Sequence, residues 1–342
     1  MYTRQKDIAK KTGFSINTIS LALRGSSRIS EETRNIINQV AEELNYIPND
    51  VAVSLVKRKT KTIGVILTEV ANPILTYTAQ QIEQCLAAKG YTMVLMTTRH
   101  NQANEAKALD LLIARRVDGI LMYPVMPWNL DKIVSLRKTN HPVILLGFGE
   151  YSSPVDAVYV DKAKGAFKAV EHLARLGHKE IVFINDGAAG ASEKLKGYKA
   201  ALEEWGLRYE PELIIKPNGF GYENGYNAAA RIFEKKRPTA IFASMDYLAL
   251  GALRWCIKNG LDVPGDVAIV GSDDIEAARF SEVPLTTVNY PVGKVTLQAT
   301  DLLFKLLSSN SKLDSIEPQK IIIEPNLVIR ESCGAKMKKD SL

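Results

Sequence analysis

Seven short, almost continuously apolar runs most constrain the fold of this 342-residue chain. They are rich in β-branched residues and read TIGVILTEV, YTMVLMTT, VDGILMYP, HPVILLGF, EIVFIND, PTAIFASM and DVAIVGSD. Amphipathic stretches such as KGAFKAVEHLARLG and YLALGALRWCIKNG separate most of them. Strands that are apolar on both faces and alternate with helices are typical of parallel sheets covered by helices on both sides. Because the units are too many for one ordinary doubly wound sheet, the sequence predicts two α/β lobes.

The same alternation predicts where a ligand binds. In doubly wound α/β folds, ligands lie beyond the carboxyl ends of the strands. The expected binding site is therefore a cleft between the two predicted lobes. The composition, with 46% hydrophobic and 24% charged residues, is ordinary for a globular protein and does not change this interpretation.

The first 45 residues have a different texture, because they contain three short helical patterns. The first, KDIAKKTG, ends at Gly13, a residue suited to a left-handed turn. The second, SINTISLAL, begins at Ser15, a favourable N-cap, and places Ile16, Ile19 and Leu23 on one helical face. The third reads SEETRNIINQVAEEL and has an apolar stripe of its own.

Ala9, Gly13 and Ile19 fit a helix-turn-helix, in which alanine allows a close approach, glycine forms the turn and isoleucine seals the pair. An ordinary helical hairpin that caps a domain is the alternative. The charge distribution favours a role in DNA binding. Residues 1–61 contain 11 Lys/Arg and 6 Asp/Glu, a net charge of +5, whereas the rest of the chain has a net charge of +1. Such asymmetry is typical of a module that binds a polyanion.

If the second helix enters a major groove, its first turn faces the base edges. Asn17 can then pair with the N6/N7 edge of adenine, and Ile16 can contact a thymine methyl group. The hydroxyl groups suited to phosphate oxygens belong to Ser15, Thr18 and Ser20. The arginines that either add charge to this surface or are merely solvated are Arg24, Arg28 and Arg34.

Other classes of protein leave no comparable pattern. The start, MYTRQKDIAKK, lacks the apolar core of a signal peptide, and no run reaches the roughly 18 apolar residues that span a bilayer, so we expect a cytoplasmic protein. The spacings of Cys85, Cys256 and Cys333 fit neither a disulfide framework nor a metal site. Motifs of serine hydrolases, P-loop proteins and zinc proteases do not occur. We therefore expect no enzymatic activity, no metal and no cofactor.

The order and spacing of many stretches make the chain resemble bacterial transcription factors of the LacI/GalR (lactose-repressor) family. The resemblance runs from about residue 3 to residue 333 and includes DIAKKTGFSINTIS, ELNYIPNDVAVSL, HLARLGHKEIVFI, PTAIFASMDYLALGAL and PNLVIRESC. It implies a small all-α helix-turn-helix headpiece, a hinge helix and an α/β core of two doubly wound parallel-sheet lobes, like that of periplasmic sugar-binding proteins. The implied ranges are a headpiece at 1–47, a hinge helix or linker at 48–61, lobe one at 62–160 and 291–319, lobe two at 161–290 and 320–332, and a tail at 333–342.

The resemblance also implies a homodimer or tetramer that binds a palindromic operator, with repression as the family norm. Its hinge helix matches Asn49, Ala52 and Leu55, and the leucine would wedge into the minor groove and bend the DNA. Plain packing of a linker is the alternative for Leu55. Leu21 departs from the family, because many relatives have an arginine there that can pair with guanine. We therefore expect a different half-site, with a thymine methyl group as one possible partner.

Positions that match the family's effector pocket are Asn72, Pro73, Met122, Gly147, Lys194, Phe220, Met245 and Asp273. Phe220 matches an aromatic platform and Asp273 an acceptor for hydroxyls or amines, although Phe220 can also belong to the core and Pro73 can merely begin a helix. Met122, Gly147 and Met245 replace residues that are often polar in relatives, and Lys194 replaces a frequent arginine clamp. A sugar needs fixed polar partners, since unpaired hydroxyls are costly to bury. The small-molecule effector is expected to be a sugar, a glycoside or a less polar metabolite.

The expected mechanism is linkage between two sites, in which the effector reorients the lobes and thereby changes the affinity for the operator. Two alternatives remain open. The chain could be a solute-binding protein of the same core fold without a DNA role, although its amino-terminal helices argue against that function. It could also be a regulator that responds to a partner protein at the core surface instead of a sugar.

Overall fold

The computed structural model describes residues 3–47, 59–125, 130–147, 154–185, 187, 190–217, 219 and 221–335. The chain forms two compact units that meet in sequence between Thr60 and Lys61. The smaller unit contains the predicted helix-turn-helix, and the larger unit contains both predicted sheets. Among the described helices, none combines the length and the apolarity that a bilayer crossing requires.

The small unit consists of three helices, α1 (Gln5–Thr12), α2 (Ile16–Leu23) and α3 (Glu31–Glu43). Gly13 ends α1 with φ at +78°, and its N–H donates to the carbonyl of Ala9 at 2.9 Å. This conformation costs glycine little, as the sequence predicts. Buried apolar side chains from all three helices form the core of the unit: Ile8, Ile19, Ala22, Ile37 and Ala41. The predicted helix-turn-helix is therefore confirmed.

The first sheet of the large unit has six strands, and all its strand pairs among the described residues are parallel. Its strands are β1 (Thr62–Leu67), β2 (Thr92–Thr97), β3 (Gly119–Met122), β4 (Val143–Gly147), β5 (Asp156–Val160) and β11 (Lys320–Ile323). Their order across the sheet is β11-β5-β4-β3-β1-β2. Strands β3, β4 and β5 are buried along their whole length, which explains their continuous apolar sequence.

The second sheet also has six strands, in the order β12-β10-β9-β8-β6-β7. They are β6 (Ile181–Ile184), β7 (Ile214–Ile215), β8 (Ala240–Ala243), β9 (Ala268–Asp273), β10 (Thr286–Asn289) and β12 (Asn326–Val328). Only the edge strand β12 runs antiparallel to its neighbour among the described pairs. The helices that alternate with the strands of both sheets are α4 (Pro73–Ala87), α5 (Gln102–Ala114), α6 (Leu130–Lys138), α7 (Lys162–Arg175), α8 (Ala191–Glu204), α9 (Tyr222–Phe233), α10 (Asp246–Lys258), α11 (Glu276–Arg279) and α12 (Val292–Ser308). Short 3-10 helices occupy Pro211–Leu213, Leu313–Ser315 and Glu331–Cys333.

The position of β11 corrects one predicted boundary. The sequence-based ranges assign residues 320–332 to lobe two, but β11 pairs with β5 in the first sheet, with Ile321 opposite Val158. The chain passes to the second sheet only after Ile323, through Glu324 and Pro325. The apolar run gives no signal for the change of sheet, because KIII and NLV have the same character. Proline cannot donate a ladder hydrogen bond, and it separates the two strands here.

Candidate functional site

The first turn of α2 exposes the side chains that the sequence predicts for DNA contact. Ser15 is the N-cap, and its hydroxyl accepts the N–H of Thr18 at 3.1 Å and lies 2.8 Å from the Thr18 hydroxyl. Ile16 is 55% exposed and Asn17 is exposed, while Ser20 is half-buried. Ile16 is the first residue of the helix and shares the apolar spacing of Ile19, but Ile19 and Ala22 take the core positions, so Ile16 stays available for the predicted apolar contact. This exposure leaves an apolar and an amide side chain available at one helix end.

The second half of α2 carries Leu21, which is half-buried, and its carbonyl accepts the N–H of Ser26 at 3.0 Å. Arg24 is exposed, and its Nε donates to the carbonyl of Ser20 at 2.9 Å. Arg28 is exposed in the loop that follows. The predicted hinge residues Asn49, Ala52 and Leu55 lie outside the described residues.

In the large unit, the carboxyl end of β1 leads directly into the start of α4. Asn72 caps this helix, and its side-chain oxygen accepts the N–H of Ile74 at 3.0 Å. Pro73 is the exposed first residue of α4, a position for which its fixed φ is suited. Pro73 therefore has the helix-starting role that the sequence left open, and the Asn72 oxygen already has one partner.

The ends of β3 and β4 show which predicted residue faces the core. Met122 is completely buried and packs within the apolar cluster that also contains Ile66 and Leu109. The side chain of Met122 therefore packs in the core of the first lobe, and its role in the effector cleft stays a prediction. Gly147 has φ at +110°, and a Cβ placed there would lie 2.8 Å from the ring of Tyr123. Tyr123, not Met122, is the side chain beside Gly147.

Lys194 lies on α8, the helix that follows β6 of the second sheet. It is only 5% exposed and its ammonium group donates to the carbonyl of Ser244, just past the end of β8. Its Nζ also lies 5.4 Å from the centre of the Tyr290 ring. Tyr290 accepts a hydrogen bond from the Ser272 hydroxyl at 2.9 Å. Burial raises the pKa of Tyr290, while the positive charge of Lys194 acts in the opposite direction, so the phenol stays neutral beside the cation.

Asp273 ends β9 in a conformation that favours glycine, with φ at +123°, and Asp274 follows with φ at +56°. Two such residues in succession store strain that the surrounding structure must hold, and strain of this kind is common at ligand-binding turns. Asp273 is half-buried at the carboxyl edge of the sheet. Its role as a ligand acceptor stays a prediction.

The buried carboxyl group of Asp246 stabilises the turn that contains Asp273 and Asp274. Asp246 accepts the N–H of Ile275 at 2.9 Å and the hydroxyl of Thr287 at 2.5 Å. Burial, and then the negative charge of Asp273, raise the pKa of Asp246 to about 7. On the other side of the turn, Asp274 forms an ion pair with Arg330 at 2.5 Å. The turn therefore has two separate polar anchors.

Met245 and Phe220 complete the predicted set. Met245 precedes α10, is half-buried and packs against the apolar core of the second lobe. Phe220 lies outside the described residues. Of the predicted set, Asp273 ends a strand, the ammonium group of Lys194 reaches the carbonyl just past the end of β8, and Asn72 lies in the loop that follows β1. Ligands of doubly wound folds bind on this side of a sheet.

Comparison with known proteins supports the assignment of both structural units. A model of the bacterial regulatory proteins of the lacI family matches residues 5–49, and a model of the periplasmic binding protein-like domain matches residues 170–333. The HTH-type transcriptional regulator DegA of Bacillus subtilis is 30% identical over 336 residues, which cover 97% of this chain and 98% of DegA. The HTH-type transcriptional repressor PurR of Histophilus somni is 32% identical over 330 residues, which cover 96% of this chain and 98% of PurR.

The chain belongs to the lacI family of bacterial regulatory proteins. Among solved structures, the Lac repressor dimer bound to operator and the anti-inducer ONPF matches with a TM-score of 0.87 and 25% identity, covering 97% of this chain and 99% of that one. This lacI-family protein is a DNA-binding transcriptional regulator whose two-lobed core has the periplasmic binding-protein fold.

The lacI-family chain also has a surface groove of about 480 Å³ on its second lobe. Helix α10 contributes Leu250, Leu253, Arg254 and Ile257, and the opposite side comes from Tyr222 and from Ala277, Phe280, Ser281 and Glu282. Phe280 is 74% exposed beside this groove. Phe280 and the apolar side chains of α10 line the same groove. Contiguous exposed apolar patches mark interaction sites, whereas single exposed apolar residues do not.

Several residues of this lacI-family core were missed by sequence reasoning: Tyr123, Ser244, Asp246, Thr287 and Tyr290. Three of them follow the end of a strand directly, and the rule that ligands lie beyond carboxyl ends could have found Tyr123, Ser244 and Tyr290. The hydrogen bonds of Asp246 and Thr287 link α10 to β10, and no spacing in the sequence predicts that contact.

Proposed function

We propose that this lacI-family regulator is a repressor that binds a palindromic operator as a homodimer, with its DNA affinity controlled by a small molecule in the cleft between its lobes. The observation that carries the proposal is the exposed first turn of α2, where Ile16 and Asn17 project from a folded three-helix unit. A two-lobed core with polar groups at its strand ends supplies the second site. The Lac repressor, a structural relative, is described bound to operator and to an anti-inducer.

In this proposal, α2 lies in the major groove. Asn17 pairs with an adenine edge, and Ile16 packs against a thymine methyl group. Phosphate oxygens are contacted by the hydroxyl groups of Ser15, Thr18 and Ser20, which position the helix without reading sequence. Leu21 provides an apolar contact where an arginine would select guanine. To Asn49, Ala52 and Leu55 we assign the minor-groove contact, in which the leucine wedges between bases and bends the DNA.

We place the second copy of the chain at the groove beside Phe280. A palindromic site requires a two-fold dimer, and an isologous contact uses the same patch on both subunits. The groove offers apolar side chains of α10 and the exposed Phe280 ring. Phe280→Glu should therefore shift the protein toward the monomer in sedimentation experiments, whereas exposed Tyr209→Glu on the same lobe should not. A dimer of unchanged affinity would place the contact elsewhere.

The effector site combines charged and apolar walls. Lys194 and Asp273 offer a cation and a hydrogen-bond acceptor on the second lobe, and Asn72 and Pro73 lie on the first. Gly147 leaves room for the Tyr123 ring, and Met245 adds apolar surface. Few of these groups can hold several hydroxyls at once. The site therefore favours a ligand with one or two polar anchors and an apolar or aromatic body over a heavily hydroxylated sugar.

The test uses the intact chain and fragments of its own genome. At moderate salt, the protein should retain a small set of fragments that share a palindromic element, and deletion of residues 1–61 should abolish this retention. Retention without sequence preference, or retention that survives the deletion, would refute the DNA-binding role. A thermal-shift screen of sugars, glycosides and aromatic metabolites then identifies the effector, and Asp273→Asn should weaken the response to any compound that binds the cleft.

A further inference from the structure

The loop between α2 and α3 folds back onto the recognition helix. Gly25, with φ at +70°, donates its N–H to Ala22 at 2.9 Å, and Ser26 donates to the carbonyl of Leu21 at 3.0 Å. The carbonyl of Ser26 in turn accepts the N–H of Ile29 at 3.2 Å. The loop therefore has a defined shape, and Ser26 is its point of attachment to α2.

Arg34 of α3 supports this loop from inside. Its Nη2 donates to the carbonyl of Ser26 at 3.0 Å and to the carbonyl of Ile29 at 3.2 Å. Its Nε is buried and has no hydrogen-bond partner among the residues that the structure describes. Leaving a buried donor unpaired is costly, and an arginine that served only as a solvated surface charge would not incur this cost. The guanidinium group is thus part of the interior of the loop.

We infer that Arg34 is a positioning residue for DNA binding, which orients the recognition helix by fixing the α2–α3 loop. The inference rests on the proposed DNA-binding function and adds a residue that contacts no base. It also replaces the interpretation of Arg34 as a surface charge. Two hydrogen bonds connect Arg34 to the recognition helix. Arg34 donates to the carbonyl of Ser26, and the N–H of Ser26 donates to the carbonyl of Leu21, which belongs to that helix.

Lysine cannot replace arginine in this role. Both side chains carry a positive charge, but the lysine nitrogen ends one bond short of the position of Nη2, and it lacks the planar guanidinium group. Arg34→Lys therefore keeps the charge and removes the hydrogen bonds to the loop. Arg28 provides the matched control, because it is an exposed arginine of the same loop.

The experiment measures the affinity of the full chain for a fragment selected from the genome, over a range of salt concentrations. Arg34→Lys should weaken DNA binding about tenfold, because the charge-assisted hydrogen bonds that hold the loop are lost. The slope of log affinity against log salt should stay unchanged, because no phosphate contact is lost. Arg28→Lys should bind like the wild type. Hydrogen exchange of residues 24–30 should be faster in Arg34→Lys, while exchange of α1 stays the same.

Two results would overturn the inference. The first is that Arg34→Lys binds DNA with wild-type affinity while Arg34→Met reduces the slope of log affinity against log salt by about one. A residue that contacts a phosphate directly would behave in this way. The other is unchanged exchange of the loop in Arg34→Lys. If α1 also exchanges faster in Arg34→Met, that variant is unfolded and Arg34→Lys alone decides. A wild-type protein that retains no DNA would refute the proposed function, whereas the exchange experiment would still decide whether Arg34 holds the loop.

Discussion

At the scale of single residues, Leu21 of α2 is the position at which we expect the operator preference to differ from that of relatives with an arginine. It is half-buried and cannot donate a hydrogen bond to a base. Leu21→Arg introduces a side chain that can pair bidentately with guanine, a contact worth about 1–3 kcal/mol of discrimination. Binding-site selection should therefore yield guanine at one symmetric pair of operator positions for this variant. Leu21→Met, which stays apolar, should keep the wild-type motif, and identical motifs for wild type and Leu21→Arg would contradict the assignment.

Asp246 is a residue whose titration should be visible in stability. Its pKa is raised to about 7, above the value of about 3.9 in an unfolded chain, so the folded state binds the proton more tightly. The free energy of unfolding should consequently fall as pH rises from about 4 to about 7 and then level off. Asp246→Asn should remove this slope, which amounts to at most about 1.4 kcal/mol per pH unit.

Urea unfolding followed by tryptophan fluorescence between about pH 5 and about pH 8 measures this slope. Asp110→Asn is the matched control, because the Asp110 side chain is 68% exposed and pairs only at the surface. It should leave the pH dependence unchanged. Parallel curves for the wild type and Asp246→Asn would show that the Asp246 carboxyl group does not titrate in this range.

Residue types at strand ends were predictable, and their orientation was not. Asp273 follows a buried apolar run, so its place at the edge of a sheet could be predicted from the sequence. Met122 also ends such a run, but a strand that is buried on both faces has no alternation to show which face a residue takes. Ile16 shows a similar limit in a helix. It shares the apolar spacing of the buried residues, but it lies in the first turn and extends beyond the core.

At the scale of elements, close helix pairs of the second lobe depend on glycine. A Cβ on Gly251 of α10 would overlap the carbonyl oxygen of Tyr222 in α9, whereas a Cβ on Gly293 of α12 would meet nothing closer than the Gln81 side chain at 3.8 Å. Gly251→Ala should lower the free energy of unfolding by about 1–3 kcal/mol, because the helices must separate. Gly293→Ala should leave it unchanged or raise it by up to about 1 kcal/mol. Equal effects of the two substitutions in urea unfolding would contradict this view.

The elements themselves follow closely from sequence patterns, while their connections do not. The apolar runs predict β1, β3, β4, β6, β8 and β9, since a strand covered on both faces must be apolar throughout. The short edge strands β7 and β12 are weakly patterned, because an edge strand is covered less completely. The assignment of β11 to the first sheet depends on its pairing with β5, a contact between residues far apart in the chain, and no local pattern encodes it.

At the scale of the whole molecule, the excess positive charge and the polar strand ends lie in different units, so the chain separates a site for DNA from a site for a ligand. Two sites on one protein that influence each other must do so reciprocally. If the effector changes operator affinity by some factor, typically about 5–150-fold, operator DNA must change effector affinity by the same factor. The sign of the effect distinguishes an inducer from a co-repressor.

This prediction can be tested with the compound from the thermal-shift screen and the selected operator duplex. The compound is titrated into the protein alone and into the protein saturated with operator, and the operator is titrated with and without the compound. The two affinity ratios should agree, and Asp273→Asn should weaken compound binding while leaving operator binding in its absence unchanged. Ratios that differ would mean that a further equilibrium, such as dissociation of the dimer, is linked to one of the two binding steps. In that case the ratios should become equal at protein concentrations high enough to keep the dimer intact, because mass action then removes the extra step.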